Sequence, residues 1–359
     1  MCFRDPSLHY VSFWMTFIIK NMVKTKNNSK LSVLLLLLAV VCSSCHSYDR
    51  NYTIYELWVN GVKVTTRNQA DILGDGTVRF EGDTQQGVLT LEGACIEKLP
   101  NLITDALIVS GINHLTLRLV GENRIGMGER VPVNGIETAR LTIEGEGSLQ
   151  VGARAACIKA QELEVSSGTI ETFVKTPDDE VASYMGIGLW AQDGLTIGGG
   201  DITVRYASAF SPLSYGLYCV KDVHILGGNI RIDAEDSRFL SVGLISSELL
   251  TIAGGHVSVY GIDDAINARN FRMTGGVVEA RSVDVSADAV CRMYYSAEFT
   301  GGEMTMEHMY PQPASGSLLF SKDLKVQGMK VSGGKDSRSL TEKDISNYGY
   351  TDACIRICQ

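Results

Sequence analysis

A glycine pair, set between short stretches of alternating apolar residues, recurs along this chain. One copy reads Gly216-Leu-Tyr-Cys219, then Val223-His-Ile225, then Gly227-Gly228-Asn-Ile230-Arg-Ile232. The copy before it reads Gly188-Leu-Trp-Ala191, Leu195-Thr-Ile197, Gly199-Gly200-Asp-Ile202-Thr-Val204. The copy after it reads Gly243-Leu-Ile-Ser246, Leu250-Thr-Ile252, Gly254-Gly255-His-Val257-Ser-Val259. The second glycine falls at 147, 168, 200, 228, 255, 276 and 302, so the spacings are 21, 32, 28, 27, 21 and 26 residues. A period in the twenties is the mark of a solenoid. The apolar residues alternate, so each copy is built of strands rather than helices. Gly-Gly supplies the positive φ of a tight turn. Three short strands per copy, stacked in parallel, predict an all-β fold, a right-handed parallel β-helix.

Strand faces follow from the alternation. Leu189/Ala191, Leu217/Cys219, Leu244/Ser246 and Ala265/Asn267 are expected inside. Trp190, Tyr218, Ile245 and Ile266 are expected outside. Neighbouring coils lie about 4.8 Å apart, which sets Trp190 beside Tyr218. Insertions gather just before the first strand of each copy, at 173–187, 206–215, 233–242, 260–264, 281–289 and 307–316. Length variation confined to one corner of a solenoid marks a binding face. These insertions are rich in acids and aromatics, among them Asp263, Asp264, Tyr184, Tyr206, Tyr215 and Tyr260. Carboxylates ligate hard Ca²⁺ and flat rings stack on sugars. The expected ligand is therefore a polysaccharide or other glycan, with calcium as a helper.

The ends differ from the repeat. Lys24, Lys26 and Lys30 precede an apolar run at 31–41, followed by Cys42-Ser43-Ser44-Cys45. That is the order of a secretory signal, and an eleven-residue run is short of the about 20 residues that span a bilayer. Residues 1–44 read as a signal peptide, with Met22 as an alternative start. Cys45 resembles the lipidated first residue of a bacterial lipoprotein, anchored to a membrane through 45–52. This implies a cell-envelope protein facing the periplasm or the surface. Removing 1–44 leaves 27 basic and 40 acidic residues, a formal charge of −13 against −9 for the whole chain. Such acidity argues against nucleic acid, whose phosphates need a basic footprint. Residues 53–94, with the hairpin signal Asn60-Gly61, read as an N-terminal β cap. Coils are expected over 95–334, and 335–359 is a second cap or tail. Cys157 and Cys219 fall at interior positions two to three coils apart, about 10 Å or more, so they are expected as buried free thiols. Cys354 and Cys358 are too far apart to pair if their segment is extended.

Leu57-Trp-Val-Asn-Gly-Val-Lys-Val-Thr65 with Ile72-Leu-Gly-Asp-Gly-Thr-Val78 resembles the opening of β-helical surface proteins of gut bacteria. The stretch from Gly254 to Ala268, which contains Asp263-Asp264-Ala-Ile-Asn267, is similar to the repeat of a carbohydrate-binding β-helix family akin to pectate lyases. The resemblance covers about 53–331. It implies calcium at Asp263 and Asp264 and an acidic polysaccharide as ligand, with Asn267 pointing inward along the stack. Two rival classes stay open. One is an enzyme of the same fold, either a polysaccharide lyase, for which Arg269 or Arg281 would be the base, or a glycoside hydrolase, which uses paired Asp as acid and base. However, the Gly-His-Gly and Arg-x-Lys of polygalacturonases do not occur. The other is a surface adhesin or scaffold. The leading expectation is a monomeric, non-catalytic glycan-binding protein.

Overall fold

Backbone pairing between successive repeats is parallel and in register. The computed structural model describes residues 52–98, 104–175, 185–206, 214–233, 241–261, 263–282, 289–308, 317–334, 338–345 and 354–359. Each repeat contributes a first, a second and a third run of strand. Each run bonds to the same run of the repeats before and after it. First runs follow the order 106–110, 134–138, 156–160, 186–191, 214–219, 241–246, 266–268, 289–293 and 317–321. Second and third runs stack in the same way. The chain is thus all-β with long parallel strands, an arrangement compatible with a β-solenoid.

The interior is filled by columns of like residues, one per repeat. Leu189, Leu217, Leu244 and Ile266 form one column. Ile143, Val165, Ile197, Ile225, Ile252, Met273 and Phe299 form another, and all are fully buried. Cys157, Cys219 and Cys291 lie in the same interior as free thiols, as expected for the first two.

The turn from second to third run is where glycine is required. Gly168, Gly200, Gly228, Gly255, Gly276 and Gly302 all have φ between 79° and 97°. A Cβ on Gly228 would lie 2.6 Å from the carbonyl oxygen of Gly200, and one on Gly255 would lie 2.6 Å from that of Gly228. So a side chain is opposed twice, by its own φ and by the repeat below. The earliest copy departs from the sequence pattern. There Gly145, not Gly147, takes the positive φ, at 119°.

Both ends of the stack are antiparallel. Ile54–Val59 and Val62–Thr65 form a hairpin, with Asn60 at φ 49° and Gly61 at φ 79° in the two-residue turn. This is the geometry that Asn-Gly favours. Ile54–Val59 then pairs antiparallel with the first run at 106–110. The parallel stack begins at Gln86–Glu92, which pairs with His114–Val120, inside the stretch read as cap. At the other end Cys354–Cys358 inserts between 303–307 and 330–333, antiparallel to both. Ile355 and Ile357 enter the core from this strand. Since the strand is extended, Cys354 and Cys358 are held apart and both are free. One helical turn, Glu342–Ile345, precedes this strand in the chain, and Glu342 Oε1 accepts the Val326 N–H at 2.6 Å.

One register assignment from the sequence is corrected. Leu244 pairs with Ile266, Ile245 with Asn267 and Ser246 with Ala268. Ile266 and Ala268 therefore face inward, and Asn267 faces outward beside Ile245. A slip of one residue exchanges the two faces of a strand. The observed register buries an isoleucine and spares an amide.

Gly228→Ala is expected to destabilise by about 2–5 kcal/mol, from the left-handed φ and the carbonyl clash. Gly194→Ala, with no positive φ and open space around it, is expected to be near neutral. Equal denaturant midpoints for the two variants would refute the glycine column. Burial pushes the Cys157 thiol up to about 12 and the Cys219 thiol up to about 11. At pH 8 iodoacetamide should label exposed Cys95 and spare Cys157, Cys219 and Cys291 until denaturant is added. The same shifts favour the folded state below the ordinary thiol value of 9.0. That contribution is lost as pH rises toward 11 and 12, so alkaline unfolding should steepen over that window.

Candidate functional site

The outer face of the first runs carries the most continuous array of large side chains that the register aligns. Glu137, Lys159, Trp190, Tyr218, Ile245, Asn267, Arg292 and Phe320 occupy equivalent positions in successive repeats. All are half-buried. Alternation is the reason: their neighbours on either side, such as Leu189 and Ala191, point into the core. Residues every second position must therefore point out. The chain enters these strands from the insertions found in the sequence. Most of five of the six insertions, at 176–184, 207–213, 234–240, 283–288 and 309–316, lies outside the described residues.

Specific contacts hold the column. The Lys159 ammonium sits 4.7 Å from the centre of the Trp190 ring and 2.8 Å from Glu137 Oε1. Asn134 Nδ2 donates to the other Glu137 oxygen at 3.1 Å. Tyr218 stacks on Tyr215, with ring centres 5.4 Å apart and planes inclined by 25°. Burial raises the Tyr215 phenol above its ordinary value, and the neighbouring Tyr218 adds to this. Trp190 Nε1 is buried and has no hydrogen-bond partner among the described residues.

Further along, the Arg292 guanidinium grips Asp264. Nε lies 2.9 Å from Oδ2 and Nη2 lies 3.3 Å from Oδ1. Asn267 Nδ2 donates to the same Oδ2 at 2.9 Å. The Asp264 side chain is 4% exposed and that of Arg292 is 18% exposed.

The sequence candidates thus separate. Trp190, Tyr215 and Tyr218 come together on one face. Tyr260 is half-buried on the outer face of the third runs, in register between Asp233 and Arg281. Tyr206 is corrected outright. It is 2% exposed and points into the core, so it cannot meet a ligand from outside. Burial pushes its phenol well above the usual range. Tyr184 and Cys45 lie outside the described residues.

Asp263 and Asp264 are adjacent, but their geometry is that of a braced turn. The Asp263 N–H donates to Ser241 O at 3.1 Å, and its carbonyl accepts from Ser282 Oγ at 2.6 Å. Both Asp264 oxygens are engaged by Arg292, so calcium there would have to displace the guanidinium, and the pair does not fit a metal site as it stands. Among the described residues no group of three or more His, Cys, Asp and Glu is placed to hold a metal.

The arginines weighed as lyase bases are also engaged. Arg281 lies 3.7 Å from Glu279 and 3.2 Å from Glu307. Arg269 lies 3.3 Å from Glu248. Sequence reasoning missed Lys159, Arg292, Phe320 and the exposed pair Tyr294 and Tyr295. The last repeat has no Gly-Gly between its second and third runs to fix its register, and nothing in composition marks a lysine as the partner of a tryptophan one repeat away. No protein-family model matches the chain, and comparison with curated proteins and with solved structures gives no match either.

Asp264→Ala is expected to cost about 3–5 kcal/mol, because it strands the Arg292 charge in a largely buried place. A chemical-denaturation midpoint equal to that of the parent chain would show that the pair is solvated rather than buried.

Proposed function

We propose that this chain is a non-catalytic glycan-binding protein of the bacterial cell envelope, built as a right-handed parallel β-helix and tethered by a lipid on Cys45. The observation that carries the reading is the half-buried column Lys159, Trp190, Tyr218, Ile245, Asn267 and Arg292. Its ends are polar and its middle is aromatic, and the strands from Trp190 to Arg292 each follow a length-variable insertion in the chain. Right-handedness is supported by the strong rule that parallel strands of one sheet are joined by right-handed connections. Export and lipidation rest on the sequence of residues 24–45.

Binding of this kind needs flat apolar surface beside fixed polar groups. Rings of Trp190 and Tyr218 supply the first. The Asn267 amide, the Arg292–Asp264 pair and the Lys159–Glu137 pair supply the second. The rise of about 4.8 Å per repeat is close to the length of one pyranose along a 1,4-linked chain. A glycan running parallel to the stack would therefore meet each repeat with a similar part of itself. Both ladder cations are already neutralised and the chain is acidic overall, which favours a neutral glycan over a polyanion. Calcium has no part in this mode, because the Asp264 carboxylate is held by Arg292.

The test is retention of the mature chain on an immobilised glycan panel, with and without chelator, and with soluble products assayed in the same wells. Retention should survive chelation. Trp190→Ala and Tyr218→Ala should each weaken it about tenfold, near 1.4 kcal/mol, with unchanged circular dichroism. Release of unsaturated or reducing-end products would replace the reading with a lyase or hydrolase. Absence of retention on every glycan would move the protein to the adhesin or scaffold class.

A further inference from the structure

The corner between first and second runs carries one or two outward side chains per repeat. Among them Asp193, Lys221, Glu248, Arg269, Tyr295 and Lys322 follow one another along the stack, aligned by the pairings on either side of them. The first four alternate in charge and bond in pairs. Lys221 Nζ lies 2.6 Å from Asp193 Oδ1, and Arg269 Nη1 lies 3.3 Å from Glu248 Oε1. A carboxylate is due next, between Arg269 and Lys322. Tyrosine stands there instead.

The Tyr295 ring is clamped from both sides. Arg269 Cζ is 4.9 Å from its centre and Lys322 Nζ is 5.0 Å from it. Lys322 has no carboxylate partner among the described residues, although most outward cations of the stack have one. Tyr295 is 50% exposed and the adjacent Tyr294 is 44% exposed, so they are the most exposed aromatic residues described. Two cations are therefore held at fixed places around a neutral, hydroxyl-bearing ring on an otherwise acidic protein.

We propose that this corner is an oxyanion-binding site, in which a sulfate or carboxylate group carried by a ligand supplies the missing negative charge of the column. The oxyanion meets the Lys322 ammonium and the Tyr295 hydroxyl, which donates to it, while Arg269, paired to Glu248, packs on the other side of the ring and holds it in place. The body of the ligand packs on the exposed faces of Tyr294 and Tyr295. Cation–ring contact pre-orients the Lys322 ammonium against the ring, so little side-chain entropy is lost when the anion arrives. This site is separate from the aromatic column of the first runs and does not depend on its function.

The experiment compares binding of fluorescent dextran sulfate with that of fluorescent dextran of the same length, using the whole mature chain. Preference for the sulfated polymer is expected. It should fall about tenfold in Lys322→Gln and vanish in Tyr295→Glu. Tyr295→Glu restores charge alternation, so its melting temperature should hold or rise, which separates lost binding from lost folding. Trp190→Ala should leave the preference for dextran sulfate over dextran unchanged, whatever it does to the binding of both polymers. Competition by inorganic sulfate, against sodium chloride of equal ionic strength, would show that the oxyanion alone is recognised. Preference for dextran sulfate that inorganic sulfate does not relieve would show that the sugar is recognised with it. Equal binding of dextran and dextran sulfate would overturn the proposal, as would undiminished preference in Tyr295→Glu. Loss of preference in Trp190→Ala would place the anion on the aromatic column and overturn it as well.

Discussion

Each central repeat turns from its second run into its third through a glycine pressed against the backbone of the repeat below. Gly200, Gly228 and Gly255 meet the preceding carbonyl so closely that a Cβ would lie 2.6 Å from it, and all three hold a positive φ. Everything outward of that corner depends on this contact. It fixes how far one repeat is displaced from the next, and hence which side chains line up across the ladders. Parallel pairing alone would tolerate a slip of one residue. The glycine column makes such a slip a collision.

Fixed register converts a list of residues into columns with chemistry. Within the core the columns are apolar and almost interchangeable: leucine above leucine, isoleucine above valine. Outside, identity matters, because each side chain has one partner above and one below. Lys159 lies between a glutamate and an indole, Arg292 closes on Asp264, and Tyr295 separates two cations. An exposed ion pair of the surface kind is worth little for stability. Its value here is placement, since a neutralised cation beside an aromatic ring is a fixed polar edge. A site can arise wherever the column breaks its own rule, as at Trp190 or Tyr295.

The ends of the stack solve a different problem. A parallel stack leaves open edges that invite further pairing. Here an antiparallel hairpin pairs with the first run at one end. At the other, Cys354–Cys358 runs antiparallel between two outer strands and brings Ile355 and Ile357 inside. Neither end continues the parallel pattern.

Much of this was written in the sequence for a simple reason. Alternation and recurring Gly-Gly are local and periodic, so the strand-built repeat, the interior leucines, the Asn60-Gly61 turn and the buried Cys157 and Cys219 could all be read directly. The outward placement of Trp190 and Tyr218 followed from the same alternation. What the sequence could not fix was the phase of a strand after an irregular insertion. Asn267 and Ile266 exchanged faces because the residues at 263–265 make a turn that bonds to Ser241, Gly243 and Leu244, which no local pattern encodes. Tyr206 went inward because its neighbour in register is Val174, a core residue. Asp264 became half of a buried ion pair because Arg292, one repeat on, lies within hydrogen-bond reach. The sequence alone thus determined the repeat, its strands and its inward face, since these depend on spacing along the chain. Only the tertiary structure decided which outward residues share a column, because that depends on register across repeats, where residues more than twenty positions apart become neighbours.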